Sequence, residues 1–281
     1  MHFMRAKGCP WNESTCASAA YGGHLEILQW VRSTHEIRAK GCPWNESTCA
    51  SAAHSGHLEI LQWTHSMHEM RANDCPWDGK TCASAAEGGH LEILQWAHAN
   101  NCPRDGRPCN NAAKNGHLEI LQWAHANGYH WSSDTCASAA SGGHLAILQW
   151  LRANGCPWDV YTCKSDARYG HLDMLQWLDS MREIKSPGEN CIWRDEDIYA
   201  QAALGGHLEI IQWLYAKKYH WDEKTCACAA QGGHLAVLKW VRSMHEMRAN
   251  GCPWDGETTP RAVIYNQFKL LRWAYARMSL G

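Results

Sequence analysis

Only two of the 281 residues are phenylalanine, and no run of residues approaches the 18 or more apolar positions that a membrane-spanning helix needs. A membrane-embedded role is therefore not expected. Net charge is small, at −2, with a pI near 6.8, which excludes the large basic surface of a nucleic-acid-binding chain. A disordered acidic tail is excluded too, because apolar residues make up 45% of the chain. The opening "MHFMRAKGCP" has no apolar stretch followed by a small-residue cleavage site. The 15 cysteines are accordingly expected as reduced thiols in an intracellular protein, cytoplasmic or nuclear, with an extracellular disulfide scaffold as the lesser alternative.

Against these scarcities stand 17 tryptophans, 15 cysteines and 18 histidines, a bias expected when one short unit has been multiplied. "GCPWNESTCASAAYGGHLEILQW", from Gly8 to Trp30, returns between Gly41 and Trp63 with only Tyr21 changed to His54 and Gly22 to Ser55. Anchored on Gly-His-Leu, the unit recurs at His24, His57, His90, His117, His144, His171, His207 and His234, with Gln267 in a degraded ninth copy. The steps are 33, 33, 27, 27, 27, 36, 27 and 33 residues, so the basic unit is 27 residues with insertions of six or nine. Such periodicity predicts a solenoid in which each repeat packs mainly on its neighbours.

Each unit carries two helical signals. The first follows a capping side chain such as Asn12, Asp78 or Asp159. Small residues, "STCASAA", then run for about two turns until Gly22 and Gly23 stop them. The second begins near His24, with Leu25, Leu28 and Val31 three apart and Ile27 and Trp30 widening the apolar stripe. It ends at a glycine such as Gly155, and Pro157 prevents its resumption. The class predicted is all-α: a solenoid of about nine helix-turn-helix repeats.

"AAYGGHLEILQWVR" resembles the ankyrin repeat, with Ala19, Ala20, Gly23, His24, Leu25, Glu26 and Leu28 on that family's central pattern. The resemblance runs over nearly the whole chain and is closest to the short Cys-Pro-Trp-rich ankyrin repeats of giant viruses and protists, which would place the protein in a host cell if it is viral. It departs from the family where "TCASAA" replaces the usual Thr-Pro-Leu-His and where tryptophan replaces leucine at Trp30. The stretch from Gly155 to Thr162 is too short for the family's projecting β-hairpin, so those fingers are expected to be reduced or absent.

The inserts "STHEIR" (33–38) and "SMHEMR" (66–71 and 243–248) contain no helix breaker and should lengthen the second helix by one to two turns. A longer insert at 180–190 contains Pro187 and Gly188 and should form a loop. Residues 1–8 duplicate part of a second helix, giving a truncated start whose apolar edge could support self-association, and residues 252–281 form a degenerate capping repeat. The whole chain, 1–281, is expected as one solenoid.

The histidines invite a metal reading that geometry opposes. Packed helices lie roughly 8–10 Å apart, whereas zinc ligands sit about 2.0–2.3 Å from one centre. A structural role at the helix start is expected instead, with no metal and no cofactor. The cysteines recur seven apart, as in Cys9 and Cys16 or Cys102 and Cys109, wider than the usual C-x2–4-C of zinc sites. Small buried hydrophobes are the leading account, with disulfide or metal chemistry as the alternative. The tryptophan present once per repeat, from Trp30 to Trp273, is expected in the core. No phosphate-binding loop, nucleophile elbow or recurrent carboxylate pair is present, so catalysis is not expected.

One position does vary. Before the Gly-Gly or its equivalent stand Tyr21, His54, Glu87, Lys114, Ser141, Arg168, Leu204 and Gln231, eight residue types in eight repeats. That range is incompatible with burial. The resemblance implies that this row lies on the concave binding surface, joined by helix-start neighbours Lys80, Arg107, Tyr161 and Lys224. The function expected is a protein–protein interaction scaffold with a protein partner, no nucleic acid and no membrane. The alternative is a structural or self-assembling component using its amino-terminal end.

Overall fold

Alternation of a small-residue helix and a larger apolar one produces the expected fold class. The computed structural model describes residues 12–36, 46–70, 79–102, 106–181, 197–219, 224–246 and 258–278. Among them are paired helices and no strand. Repeat one pairs Glu13–Tyr21 with Leu25–Glu36, and repeat three pairs Gly79–Gly88 with Leu91–Ala99. The same hairpin recurs through Thr258–Ile264 and Phe268–Met278 in repeat nine. The chain divides into two compact units, Met1–Trp131 and Ser132–Gly281.

Within each unit, the first helix of a repeat packs on the first helices of its neighbours and on its own second helix. Such close approach requires the small side chains: Ala53, Ala86, Ala140 and Ala203 are fully buried. The second helix contributes the larger core residues, Ile93 and Leu94 in repeat three and Met174 and Leu175 in repeat six. Several first helices start where a side chain receives the orphan amides, although Arg107–Asn115 starts at Gly106 without one. The Thr15 amide donates to Asn12 Oδ1 at 3.1 Å, and the Tyr161 amide to Asp159 Oδ1 at 2.9 Å. Ser132 is capped reciprocally by Thr135, its side chain accepting from the Asp134 amide at 3.3 Å.

Where the six-residue inserts occur, the second helix lengthens as expected. It spans 12 residues in Leu25–Glu36, 13 in Leu58–Met70 and 12 in Leu235–Glu246, against 9 in Leu145–Ala153. The truncated start at 1–8, Asp78, Trp11, Trp44 and the Ser186–Asn190 insert lie outside the described residues.

Two expectations are corrected. The recurrent tryptophans are not core residues: Trp96, Trp123, Trp177 and Trp240 are each half-buried. Their rings instead bridge repeats edge-to-face, His65 to Trp96 at 5.6 Å, His98 to Trp123 at 5.2 Å and Tyr215 to Trp240 at 5.5 Å. The cysteines are not all thiols either, since Cys82 and Cys102, 20 residues apart, form a disulfide. The hairpin folds the loop after the second helix back onto the start of the first, which brings the two sulfurs together and leaves Cys102 apart from Cys109.

Candidate functional site

The site is a turn before it is a surface. After the first helix, the chain reverses at a glycine with positive φ, as at Gly89 (φ 83°), and the next residue is the recurrent histidine. That histidine does not cap its own helix; at His90, His117 and His207 the side chain makes no cap bond. It reaches the preceding repeat. The Nε2–H of His57 donates to the Tyr21 carbonyl at 3.1 Å, His90 to the His54 carbonyl at 3.1 Å and His117 to the Glu87 carbonyl at 3.1 Å. In the second unit, His207 donates to the Arg168 carbonyl at 3.0 Å and His234 to the Leu204 carbonyl at 3.1 Å. Even the degraded ninth copy keeps the link, Gln267 Nε2 donating to the Gln231 carbonyl at 3.4 Å. His171 is an exception, its buried Nε2 having no hydrogen-bond partner.

Every acceptor in this ladder is the backbone carbonyl of a variable position. The link therefore needs no particular side chain there, and the side chain is left to the surface. Tyr21, Glu87, Lys114 and Arg168 are exposed, while His54, Ser141, Leu204 and Gln231 are half-buried. None is buried. Helix-start residues lie seven positions earlier, two turns back on the same helical face. Tyr161 and Arg168 share one first helix in this way, as do Lys80 and Glu87 in another. Lys80, Arg107, Tyr161 and Lys224 are all exposed.

Neighbouring repeats connect along this face. In the first unit, the rings of Tyr21 and His54 stack with centroids 6.0 Å apart, and Lys80 is ion-paired with Glu46. In the second, Arg168 Nη1 donates to Gln201 Oε1 at 3.1 Å and Arg261 Nη1 to Gln231 Oε1 at 3.3 Å, whereas Ser141 Oγ turns back on its own helix to the Ser138 carbonyl at 2.8 Å. Asp197 receives Lys164 at 2.9 Å and Lys224 at 3.7 Å; the Lys164 hydrogen bond, with both charges, holds its carboxyl below the usual range. The Lys164 ammonium also lies 5.8 Å from the centre of the Tyr161 ring.

Sequence reasoning missed two features of repeat six. Tyr169 is exposed beside Arg168, in a position that is Gly, Ser or Asn in the seven other Gly-His repeats. Asp166 is fully buried with both carboxylate oxygens lacking hydrogen-bond partners, where every other repeat has alanine. Burial, with the Asp173 carboxylate adding to it, raises the Asp166 carboxyl well above its ordinary range. Each signal was present as a break in the repeat pattern.

Residues 82–125 match a family described as ankyrin repeats (many copies). That segment is similar to ankyrin repeats. It runs from the disulfide-bonded Cys82 through the Gly-His turn and second helix of repeat four. Solved structures that match include the human ASB11 ankyrin repeat domain, at 16% identity and a TM-score of 0.44, over 58% of this chain and 82% of that one. No curated protein sequence matches. Among the described residues, no group of three or more His, Cys, Asp or Glu could hold a metal ion, and no helix is long and apolar enough to cross a membrane.

Proposed function

We propose that this chain is a protein-interaction module that reads a protein partner with the variable row and the helix-start residues of its first helices. One observation carries this: the inter-repeat ladder takes only the backbone carbonyl of the variable position, at Tyr21, His54, Glu87, Arg168, Leu204 and Gln231, so the side chain there can change without breaking it. Ankyrin repeats generally mediate protein–protein interaction, which supports the same reading. Repeat six is its centre. There Tyr161 (64% exposed), Arg168 and Tyr169 crowd one helix, and aromatic and arginine side chains dominate binding energy at interfaces. Asp166 and His171, both unsatisfied, lie in the same repeat, and departures from local rules concentrate at functional positions.

The test begins with recovery of a partner by pull-down of the full chain from the native cell and mass spectrometry. With that partner, Tyr21→Ala, Tyr161→Ala and Arg168→Ala should each weaken binding about tenfold or more, equivalent to about 1.4 kcal/mol. Gln29→Ala, Gln95→Ala and Gln149→Ala, at exposed second-helix positions, should leave it within about twofold, as neutral surface changes do. Equal affinity for all six variants would reject the face.

A further inference from the structure

Counting from the recurrent histidine gives every repeat the same two cysteine positions. One lies eight residues before it, in the first turn of the first helix; in the 27-residue repeats the other lies twelve after it, in the loop beyond the second helix. Cys82 and Cys102 occupy these places around His90 and are disulfide-bonded across a separation of 20 residues. Cys136 and Cys156 occupy them around His144, at the same separation, and are thiols in the structure. Of the other helix-position cysteines, Cys16, Cys49, Cys163 and Cys226 are each disulfide-bonded.

The second pair is placed to do the same. Cys156 Sγ–H donates to the Ser132 carbonyl at 3.4 Å, and Ser132 is the cap of the helix that begins at Ser133 and carries Cys136 one turn on. In repeat four only the loop position changes, to Tyr129 with Cys109 kept, but in repeat seven both change. In repeat seven the helix position is Tyr199 and the loop position Tyr219, and the Tyr199 hydroxyl donates to the Tyr219 carbonyl at 3.2 Å. A polar link between these two points thus persists where both sulfurs are lost.

We propose that Cys136 and Cys156 are an oxidation site that closes a disulfide equivalent to Cys82–Cys102, fastening the loop of repeat five to its first helix. The oxidant is a low-molecular-weight disulfide such as glutathione disulfide. Cys156 is the attacking sulfur, because the hydrogen bond from Cys136 lowers its thiol below the ordinary value while raising that of Cys136, whose burial adds to the effect. Cys156 thiolate attacks one glutathione sulfur, forming a mixed disulfide and expelling one glutathione thiolate, which takes up the proton Cys156 gave up. Cys136 then loses its proton and attacks the Cys156 sulfur, and the second glutathione leaves as a thiol. One S–S bond breaks and one remains on the protein; two electrons and two protons pass to glutathione. Both cysteines are at most 1% exposed, so the exchange requires local opening around them.

The full chain, reduced with dithiothreitol and desalted, is equilibrated over a series of glutathione disulfide-to-glutathione ratios. It is then acid-quenched, alkylated with N-ethylmaleimide in denaturant, and cut with trypsin and endoproteinase Asp-N. Cleavage after Arg152 and before Asp159 places Cys136, Cys156 and Cys163 on three peptides. The expected result is the Cys136 peptide joined to the Cys156 peptide, rising from a trace to the dominant species as the ratio becomes oxidising. A Cys156–Cys163 link overturns the proposal. So does full alkylation of Cys136 and Cys156 at a ratio where Cys82–Cys102 is joined. Tyr129→Cys extends the test to repeat four, where Tyr129 holds the loop position and Cys109 the helix position: a new link to Cys109 is expected, and its absence under conditions that join Cys82 to Cys102 overturns the register on which the proposal stands.

Discussion

Asp166 shows what one side chain can do in a repeat built for alanine. Its carboxyl is buried without a hydrogen-bond partner, and burial together with Asp173 raises it well above the ordinary carboxylate range. The folded chain therefore holds a proton that the unfolded chain releases near pH 4. Between those two values the native state binds more protons than the unfolded state, so stability falls as pH rises. The contribution is fully present below about pH 4, the unfolded value, and is lost as pH rises through the raised native value. Replacing Asp166 with the alanine of the other repeats removes the penalty. Asp166→Ala should stabilise the protein at pH 7 by about 1–3 kcal/mol, the cost of an unpaired buried polar group. Denaturant melts at several pH values should show that gain shrinking as pH falls from the raised native value towards about pH 4 and levelling off below it; a gain constant with pH would contradict the assignment.

At the scale of the helix pair, two glycines with the same backbone have different reasons to be there. Gly155 (φ 77°) ends a second helix with nothing within 4 Å of the place a Cβ would occupy. Its equivalents in other repeats include Asn101 (φ 63°) and Lys218 (φ 60°), so side chains are admitted. Gly89 (φ 83°) closes a first helix, and a Cβ there would lie 2.7 Å from the His117 ring of the next repeat. Asn266 (φ 56°) takes this place in repeat nine, the last repeat of the sequence. Both alanine substitutions incur the cost of positive φ. Only Gly89→Ala must also displace the ladder histidine, so it should be the worse by about 1–3 kcal/mol, the range for overpacking a tight contact. Thermal melts of the two variants decide it, and equal losses would remove the steric role given to His117.

At the scale of the whole molecule, contacts between consecutive repeats within each unit make the consequences of such a change local. Stability in a repeat array is approximately a sum of unit terms and nearest-neighbour terms. Hydrogen exchange on the Gly89→Ala variant should lose protection in repeats three and four, between residues 79 and 126, and retain it in the Glu13–Tyr21 helix of repeat one. Uniform loss across the first unit would show a cooperative block instead of coupled neighbours.

The periodicity of the sequence by itself determined the helix pairs, their boundaries at Asn12, Gly23 and Gly155, the lengthening at the six-residue inserts and the exposure of Tyr21, Glu87 and Arg168. These depend on capping, helical period and tolerance of side-chain variety, all of which act over a few residues and repeat without change. Three things waited for the tertiary structure. His117 was legible as recurrent but not as a donor to Glu87, since that bond crosses from one repeat to the next. Trp96 carried the regularity of a core residue, yet half-burial against His65 depends on where a neighbouring helix lies. Cys82 stood nearest in sequence to Cys75 and was joined to Cys102, although the paired replacement by Tyr199 and Tyr219 was already written in the chain. In each case the partner is brought close by the return of the hairpin or the stacking of a second repeat, and local spacing carries no information about either distance.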